Sequence, residues 1–284
     1  DDHMSVSFLA NLASEYMKYT HHVSEVYSPP RVAKLAHKLN LSPGFSIDLR
    51  EIDPYDGKPW NRSLKEKRDR VRERVEREKP LLLIGCPPCS LFSSLFMSNI
   101  SRMNMEEVRA KIKDAIIHLR FCIMLYKIQI ENGRFFLHEH PWQAWSWQLE
   151  QMKQLMSMPG VTVVRGHLCS QGMFMQDRLG VAPVLKATGW CSNSEHILHE
   201  LNRQCINNDR VKHHRHACLQ QSRAKHAAVY PDQLCLSILR GLRHEMEALG
   251  LSHVGEIGTI CEDHDEHMFF SRKSSNMIVS FMMT

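Results

Sequence analysis

Nowhere in the 284 residues does an apolar run reach the ~18 that a membrane-spanning helix needs, so no membrane partner is expected. The opening Asp1-Asp2-His3-Met4 has no basic cluster and no apolar stretch. No signal peptide is therefore expected, and these residues read as a tag remnant. No segment recurs at a fixed period, which sets aside solenoids and propellers. Compositional bias is also missing. With 43% hydrophobic and 24% charged residues, the chain is neither disordered, collagen-like nor coiled coil. It lacks the even cysteine count of a secreted disulfide framework. Its nine cysteines, scattered from Cys86 to Cys261, point to a reducing, intracellular compartment. Charge of one sign is scarce in excess: 36 basic against 31 acidic residues leave +5. That permits a nucleic-acid partner without demanding one. The length suits one large domain, or one with an appendage.

Strand-like and helix-like segments alternate, which predicts an α/β fold. An amphipathic helix is expected over 7–20 and a strand over Val23–Tyr27. Ser28-Pro29-Pro30 is suited to start a helix reaching Leu39, with Ser28 as cap. A strand over Gly44–Leu49 ends at Asp48. The charged stretch 62–79 predicts a helix with a solvated face. Pro80–Gly85 is a continuous apolar run of buried parallel-strand type. Asn104 and Glu107 form a capping box for a helix to about Ile130. Further strands are expected at Arg134–His140, Val161–Leu168 and Leu185–Cys191, then a helix over Pro231–Leu249 stopped by Gly250. Residues 251–284 show little periodicity.

The segment Gly85-Cys86-Pro87-Pro88-Cys89-Ser90-Leu91-Phe92-Ser93 follows the buried strand. That puts a cysteine where open α/β sheets bind ligands, and a helix starting there would favour the thiolate. Three readings stand for it: a structural cysteine in a Pro-rich turn, a Cys86/Cys89 thiol oxidoreductase, or a single-cysteine nucleophile. About fifty residues on, Phe136-Leu137-His138-Glu139-His140-Pro141 sets a glutamate on an apolar strand. Its burial is costly without a job or a partner such as Arg134.

Together, Pro87-Pro88-Cys89-x-x-Phe92-Ser93 and the Glu139 strand resemble the nucleophile and Glu-Asn-Val motifs of cytosine-5 DNA methyltransferases, with His140 and Pro141 in place of Asn and Val. The resemblance covers about residues 20–245. It is nearest to compact forms from phages and retroelements, which share the Ser-Pro-Pro-Arg start and a late Cys…His-x-His segment. It implies a Rossmann-like fold with a mixed, mostly parallel sheet and a small recognition insertion. It further implies S-adenosylmethionine as cofactor, cytosine-containing DNA (or RNA) as partner, and the nucleus as location in a eukaryote. Cys89 would be the nucleophile, Glu139 would assist at the base, and Arg165 would lie beside it. Tyr27, Ser28, Pro29, Asp48, Asp53 (or Asp56), Pro88 and Tyr230 would face the cofactor, although the family's loop glycines are absent here. The implied map runs from an N-terminal helix in 1–22 to a core over 23–168. A basic target-recognition segment over 169–228, a closing helix over 229–250 and a tail over 251–284 follow.

The segment 203–226 carries six Lys/Arg against one Asp, and four His. With Ser93, its Arg203, Arg210, Lys212, Arg215, Arg223 and Lys225 are candidate nucleic-acid contacts, the plainer reading being a polar loop. Cys205, His214, His216 and Cys218 have the donor types of a structural zinc site. The same fold, catalytically idle and holding nucleic acid, is the alternative to an enzyme.

Overall fold

The computed structural model describes residues 19, 21–207, 211–219 and 229–251. The expected helix over 7–20 (Tyr19 apart) and the tail beyond Leu251 lie outside the described residues. Among the described residues, no helix is long and apolar enough to cross a membrane.

The elements in chain order are β1 (Val23–Val26), α1 (Val32–Leu35, continued by a 3₁₀ turn over Ala36–Leu39), β2 (Pro43–Ile47), α2 (Lys65–Glu78) and β3 (Leu82–Gly85). Next come α3 (Ser94–Asn99), α4 (Met105–Glu131), β4 (Phe135–Pro141), α5 (Glu150–Met156) and β5 (Thr162–His167). Last are β6 (Phe174–Asp177), β7 (Gly180–Pro183), β8 (Ala187–Ser192), α6 (Glu195–Leu201) and α7 (Asp232–Ala248). Six strands form one sheet in the order β2-β1-β3-β4-β8-β5, and β6-β7 form a separate hairpin. Only β8 runs against the others in the large sheet, pairing antiparallel with both β4 and β5.

The fold is thus a mixed, mostly parallel α/β sheet of Rossmann-like winding. Helices α1, α6 and α7 cover one face, where Val32, Leu198 and Ile238 pack with Leu82 and Trp190. Helices α2, α4 and α5 cover the other, where Val75, Leu125 and Leu155 pack with Leu83 and Phe136. β3 is buried along its whole length, as an apolar run in a two-sided sheet requires. β1 has β2 on one side and β3 on the other, so a crevice opens at their carboxyl ends.

Local sequence accounts for the helix ends. Asn104 Oδ1 accepts from the N–H groups of Glu106 (2.9 Å) and Glu107 (3.3 Å), while Glu107 turns to Lys111. Gly133 and Gly250 take the left-handed conformation after α4 and α7.

The structure differs from expectation in three places. Ser28 does not cap α1. The cap oxygen comes from Glu25 on β1, whose Oε1 accepts from the N–H of Arg31 (2.9 Å) and Ala33 (2.9 Å). The α2 helix is not wholly solvated, because Lys67 is buried against Asp53 (2.8 Å) and Asp56 (2.6 Å). Part of the segment read as target recognition belongs to the large sheet. Ala187–Ser192 enters the large sheet between β4 and β5, whereas the β6–β7 strands form a hairpin outside it.

Candidate functional site

The Cys86–Cys89 loop is held from three directions. Gly85 closes β3 where the hydroxyl of Tyr126 donates to its carbonyl (3.1 Å). A Cβ on Gly85 would collide with that hydroxyl, so no other residue fits. His140 Nε2 donates to the carbonyl of Pro87 (3.2 Å), and its Nδ1 accepts from the Ser146 hydroxyl (2.7 Å). The Trp145 indole donates to the carbonyl of Leu91 (3.0 Å). The His140 that departs from the family motif therefore fixes the cysteine loop.

Strand alternation splits His138-Glu139-His140 between the two faces of the sheet. The histidines face α4 and the tryptophan-rich side, their rings 4.7 Å apart. Glu139 faces the opposite side and pairs with Lys186 Nζ at 3.6 Å, not with Arg134, which donates to Gln129. Glu139 is buried, and its Oε1 has no hydrogen-bond partner. That oxygen is the one Lys186 faces, so the contact is an ion pair rather than a hydrogen bond.

Cys89 is half-buried and begins a 3₁₀ turn over Ser90–Phe92. Burial and then the charge of Glu139 push its thiol up to about 11, against the pull of Lys186. The helix end expected to favour the thiolate is too short to prevail.

Burial drives His140 down to about 4 from its ordinary 6.5, and His138 well below. Both groups contribute fully above pH 6.5, where folded and unfolded chains alike are neutral. Below it the unfolded chain takes up protons that the folded chain refuses. Stability is expected to fall between pH 6.5 and about 4, by about 3 kcal/mol through His140 alone. Urea midpoints across that range check this; His140→Asn, which keeps a donor for Pro87, is expected to flatten the slope. An unchanged slope in the variant would assign the acid sensitivity elsewhere.

At the crevice, Tyr27 adopts a left-handed conformation (φ 63°), a strain that non-glycine residues keep at constrained sites. Its hydroxyl meets His118 Nδ1 (2.9 Å), and Arg62 lies 3.9 Å from its ring centre. Ser28 donates to Glu25 (2.9 Å), Pro29 is half-buried and Pro88 is exposed. Asp48 follows β2 and accepts from Arg50 (3.0 Å). Tyr230 reaches over from the start of α7. Its hydroxyl lies 3.1 Å from Cys86 Sγ, and Arg31 lies 5.8 Å from its ring centre. Asp53 is directed away, bound to Lys67 and Arg70.

A cleft of about 350 Å³ opens beside the cysteine loop, lined by Ser93, Pro141, Arg165, His167 and Leu185 among others. Arg165 is exposed on β5, 5.9 Å from the ring centre of Trp142. A second cavity of about 580 Å³ shares His167 and Leu185 and continues to Lys212 and His216. Of the other basic residues, Arg203 pairs with Glu200 (2.7 Å) and Arg215 with Asp177 (2.8 Å). Arg210, Arg223 and Lys225 lie outside the described residues.

The second cavity borders a group of four donors: Cys169, Cys205, His214 and His216, all within 4.8 Å of one another. This corrects the sequence reading. Cys218 is not in the group; its N–H donates to Asp177, and Cys169 takes its place. The sequence signals nothing for Cys169, which lies far upstream of the His-x-His pair. Lys186 was equally hidden, since its burial follows from the seat of β8 in the sheet.

No family model matches this chain, and no curated protein matches it. Among solved structures, a methyltransferase of Entamoeba histolytica matches at 11% identity, covering 61% of this chain and 52% of that one, with a TM-score of 0.35. The chain thus spans about half the length of that structure.

Proposed function

We propose that this chain is an S-adenosylmethionine-dependent methyltransferase acting on C5 of cytosine in nucleic acid, with DNA preferred to RNA. The observation that carries this reading is Glu139. It is a buried carboxylate, ion-paired with Lys186 Nζ at 3.6 Å, on the strand next to the cysteine loop and close enough for its charge to raise Cys89. Two such groups at adjacent strand ends suit covalent catalysis on a polarised ring.

The crevice fits a cationic nucleoside donor better than a dinucleotide. A pyrophosphate seeks the free N–H groups of a helix N-terminus. Here Glu25 already occupies those of α1, and all its contacts are accepted hydrogen bonds. Asp48 sits after β2, where doubly wound folds read ribose hydroxyls. Tyr27, Ser28, Pro29, Asp48, Pro88 and Tyr230 would hold S-adenosylmethionine, which supplies an electrophilic methyl group.

Cys89 Sγ adds to C6 of the ring, and the electron pair displaced makes C5 nucleophilic. Glu139 engages N3 and the exocyclic amino edge; its carboxylate takes up the proton that the Cys89 thiol releases and passes it to N3 as the adduct forms. C5 would take the methyl as the donor's sulfur–methyl bond breaks to leave the neutral thioether; the C5 proton would then pass to solvent, the C5–C6 double bond return and Cys89 leave as thiolate, which regains its proton from N3 through Glu139. Lys186 holds the Glu139 carboxylate in place. Arg165 and Ser93 line the cleft through which a flipped base would enter. Lys212 continues the same groove toward the phosphates.

Transfer of labelled methyl from S-adenosylmethionine to cytosine-containing DNA and RNA tests the reading, and label on DNA is the expected result. Absence of label on both would favour the idle nucleic-acid-binding module, to which the Arg50 contact on Asp48 lends support. Calorimetry with S-adenosylmethionine separates the two, since only the enzyme must bind it. A dithiol couple is disfavoured, because the Cys86 thiol is engaged with the Tyr230 hydroxyl (3.1 Å) and such a couple leaves Glu139 without a role.

A further inference from the structure

We propose that Cys169, Cys205, His214 and His216 bind a structural zinc ion that fastens the β6–β7 hairpin to the large sheet. Cys205 Sγ lies 3.5 Å from His214 Nε2 and 3.4 Å from His216 Nε2, and the two Nε2 atoms are 3.0 Å apart. Zinc–ligand bonds of about 2.3 Å to sulfur and about 2.0 Å to nitrogen, set in a tetrahedron, put S···N pairs near 3.5 Å and N···N pairs near 3.3 Å. The spacing is that of ligands around one ion. Cys205 Sγ and both Nε2 atoms thus lie in mutual contact, with the Cys169 sulfur within 4.8 Å of all three. Two thiolates and two imidazoles in a closed tetrahedron select zinc over magnesium or calcium, which want oxygen.

A second observation is the support built around Cys205. The N–H of Asn207 donates to Cys205 Sγ (3.4 Å). The Asn207 side chain then fixes the ligand loop. Its Oδ1 accepts from the N–H of His213 (2.8 Å) and His214 (3.2 Å), and its Nδ2 donates to the carbonyl of His214 (2.7 Å). This is the outer support that metal sites need to hold their ligands in orientation.

The ligands come from two places. Cys169 follows β5 directly, and the other three lie on the loop after α6. That loop grips the hairpin: Arg215 donates to Asp177 (2.8 Å) and to the carbonyl of Gly180 (2.7 Å), and Ala217 N–H donates to Pro183 (2.8 Å). The ion would join the loop to β5, and through it the hairpin. It would also set one wall of the basic groove, since Cys205 N–H donates to His167 Nδ1 (2.9 Å).

The site does not depend on methyl transfer, and its test needs no substrate. Elemental analysis of the full chain, purified under reducing conditions without added metal, is expected to find about one zinc per chain. Cobalt(II) added after zinc removal is expected to give the visible bands of tetrahedral thiolate coordination. Cys169→Ser and Cys205→Ser are expected to lose the metal by more than the ~10- to 100-fold that outer-shell changes cost. Cys218→Ser is expected to keep it. His216→Cys preserves four donors, so it should still bind cobalt with a shifted spectrum even if the serine variants fold poorly. Zinc removal should speed hydrogen exchange over β6–β7 while leaving β3 and β4 unchanged. A metal-free chain with no cobalt bands, or a metal lost in Cys218→Ser and kept in Cys169→Ser, would overturn the assignment.

Discussion

Cys89→Ala is expected to lose methyl transfer by on the order of 10⁴-fold or more, as when a covalent nucleophile is removed. Cytosine C5 is too poor a nucleophile to attack a methyl group until addition at C6 makes it enamine-like, and in this reading Cys89 alone supplies that addition. Cys86→Ser should keep most activity, because that thiol is tied to Tyr230 and has no path to the ring in this reading. The resting thiol sharpens the expectation. With Cys89 at about 11, roughly one thiol in 10⁴ is ionised at neutral pH. The kcat/KM should therefore rise about tenfold per pH unit through the alkaline range, without a plateau before the thiol titrates. DNA carrying 5-fluorocytosine, which cannot release a C5 proton, should trap the adduct on the wild type and not on the variant. Full activity in Cys89→Ala would remove the covalent mechanism; equal loss in both cysteine variants would return the dithiol reading.

Glu139→Gln is expected to move two measurements in opposite directions. Methyl transfer should fall by roughly 10²- to 10⁴-fold, the range for a lost acid–base group. Alkylation of Cys89 at a fixed pH should become faster. The variant removes the negative charge that raises the thiol and leaves Lys186 beside it, whose positive charge lowers it. Mass spectrometry resolves Cys89 from the buried Cys122, Cys191 and Cys235. If all four react faster, the variant has merely loosened the fold. If Cys89 slows, the charge on Glu139 does not govern the thiol. Lys186→Met supplies the converse, with slower alkylation of Cys89.

Much of the sheet is legible because its signals are local. Leu82–Gly85 must be a buried strand, since four consecutive apolar positions leave no face for water. Asn104 opens α4 through its own side-chain oxygen, and Gly250 closes α7 through a backbone angle that suits few other residues. The features that escape are those made by pairs distant in sequence. Glu25 reads as an oddity inside β1 until α1 folds back over its carboxylate. Lys67 sits in a run of charges that looks uniformly wet, yet Asp53 and Asp56 draw it inside. In the same way Lys186 and Cys169 acquire meaning only through the neighbours that tertiary structure supplies. His138 and His140 mislead in the opposite sense: their residue type suggests titration near neutrality, while burial keeps both neutral.

The position of β8 bears on how the molecule is made. Among the described residues, β5 has β8 as its only strand neighbour, and β4 has β3 and β8. A nascent chain that has emerged only as far as β5 therefore holds that strand with no partner, and leaves one edge of β4 bare beside Glu139. The carboxylate cannot acquire its surroundings until Ala187–Ser192 leaves the ribosome and inserts between the two. The Glu139 end of the sheet is thus completed by a late segment, and a fragment ending near residue 168 should expose a sticky strand edge and aggregate rather than fold as a smaller domain.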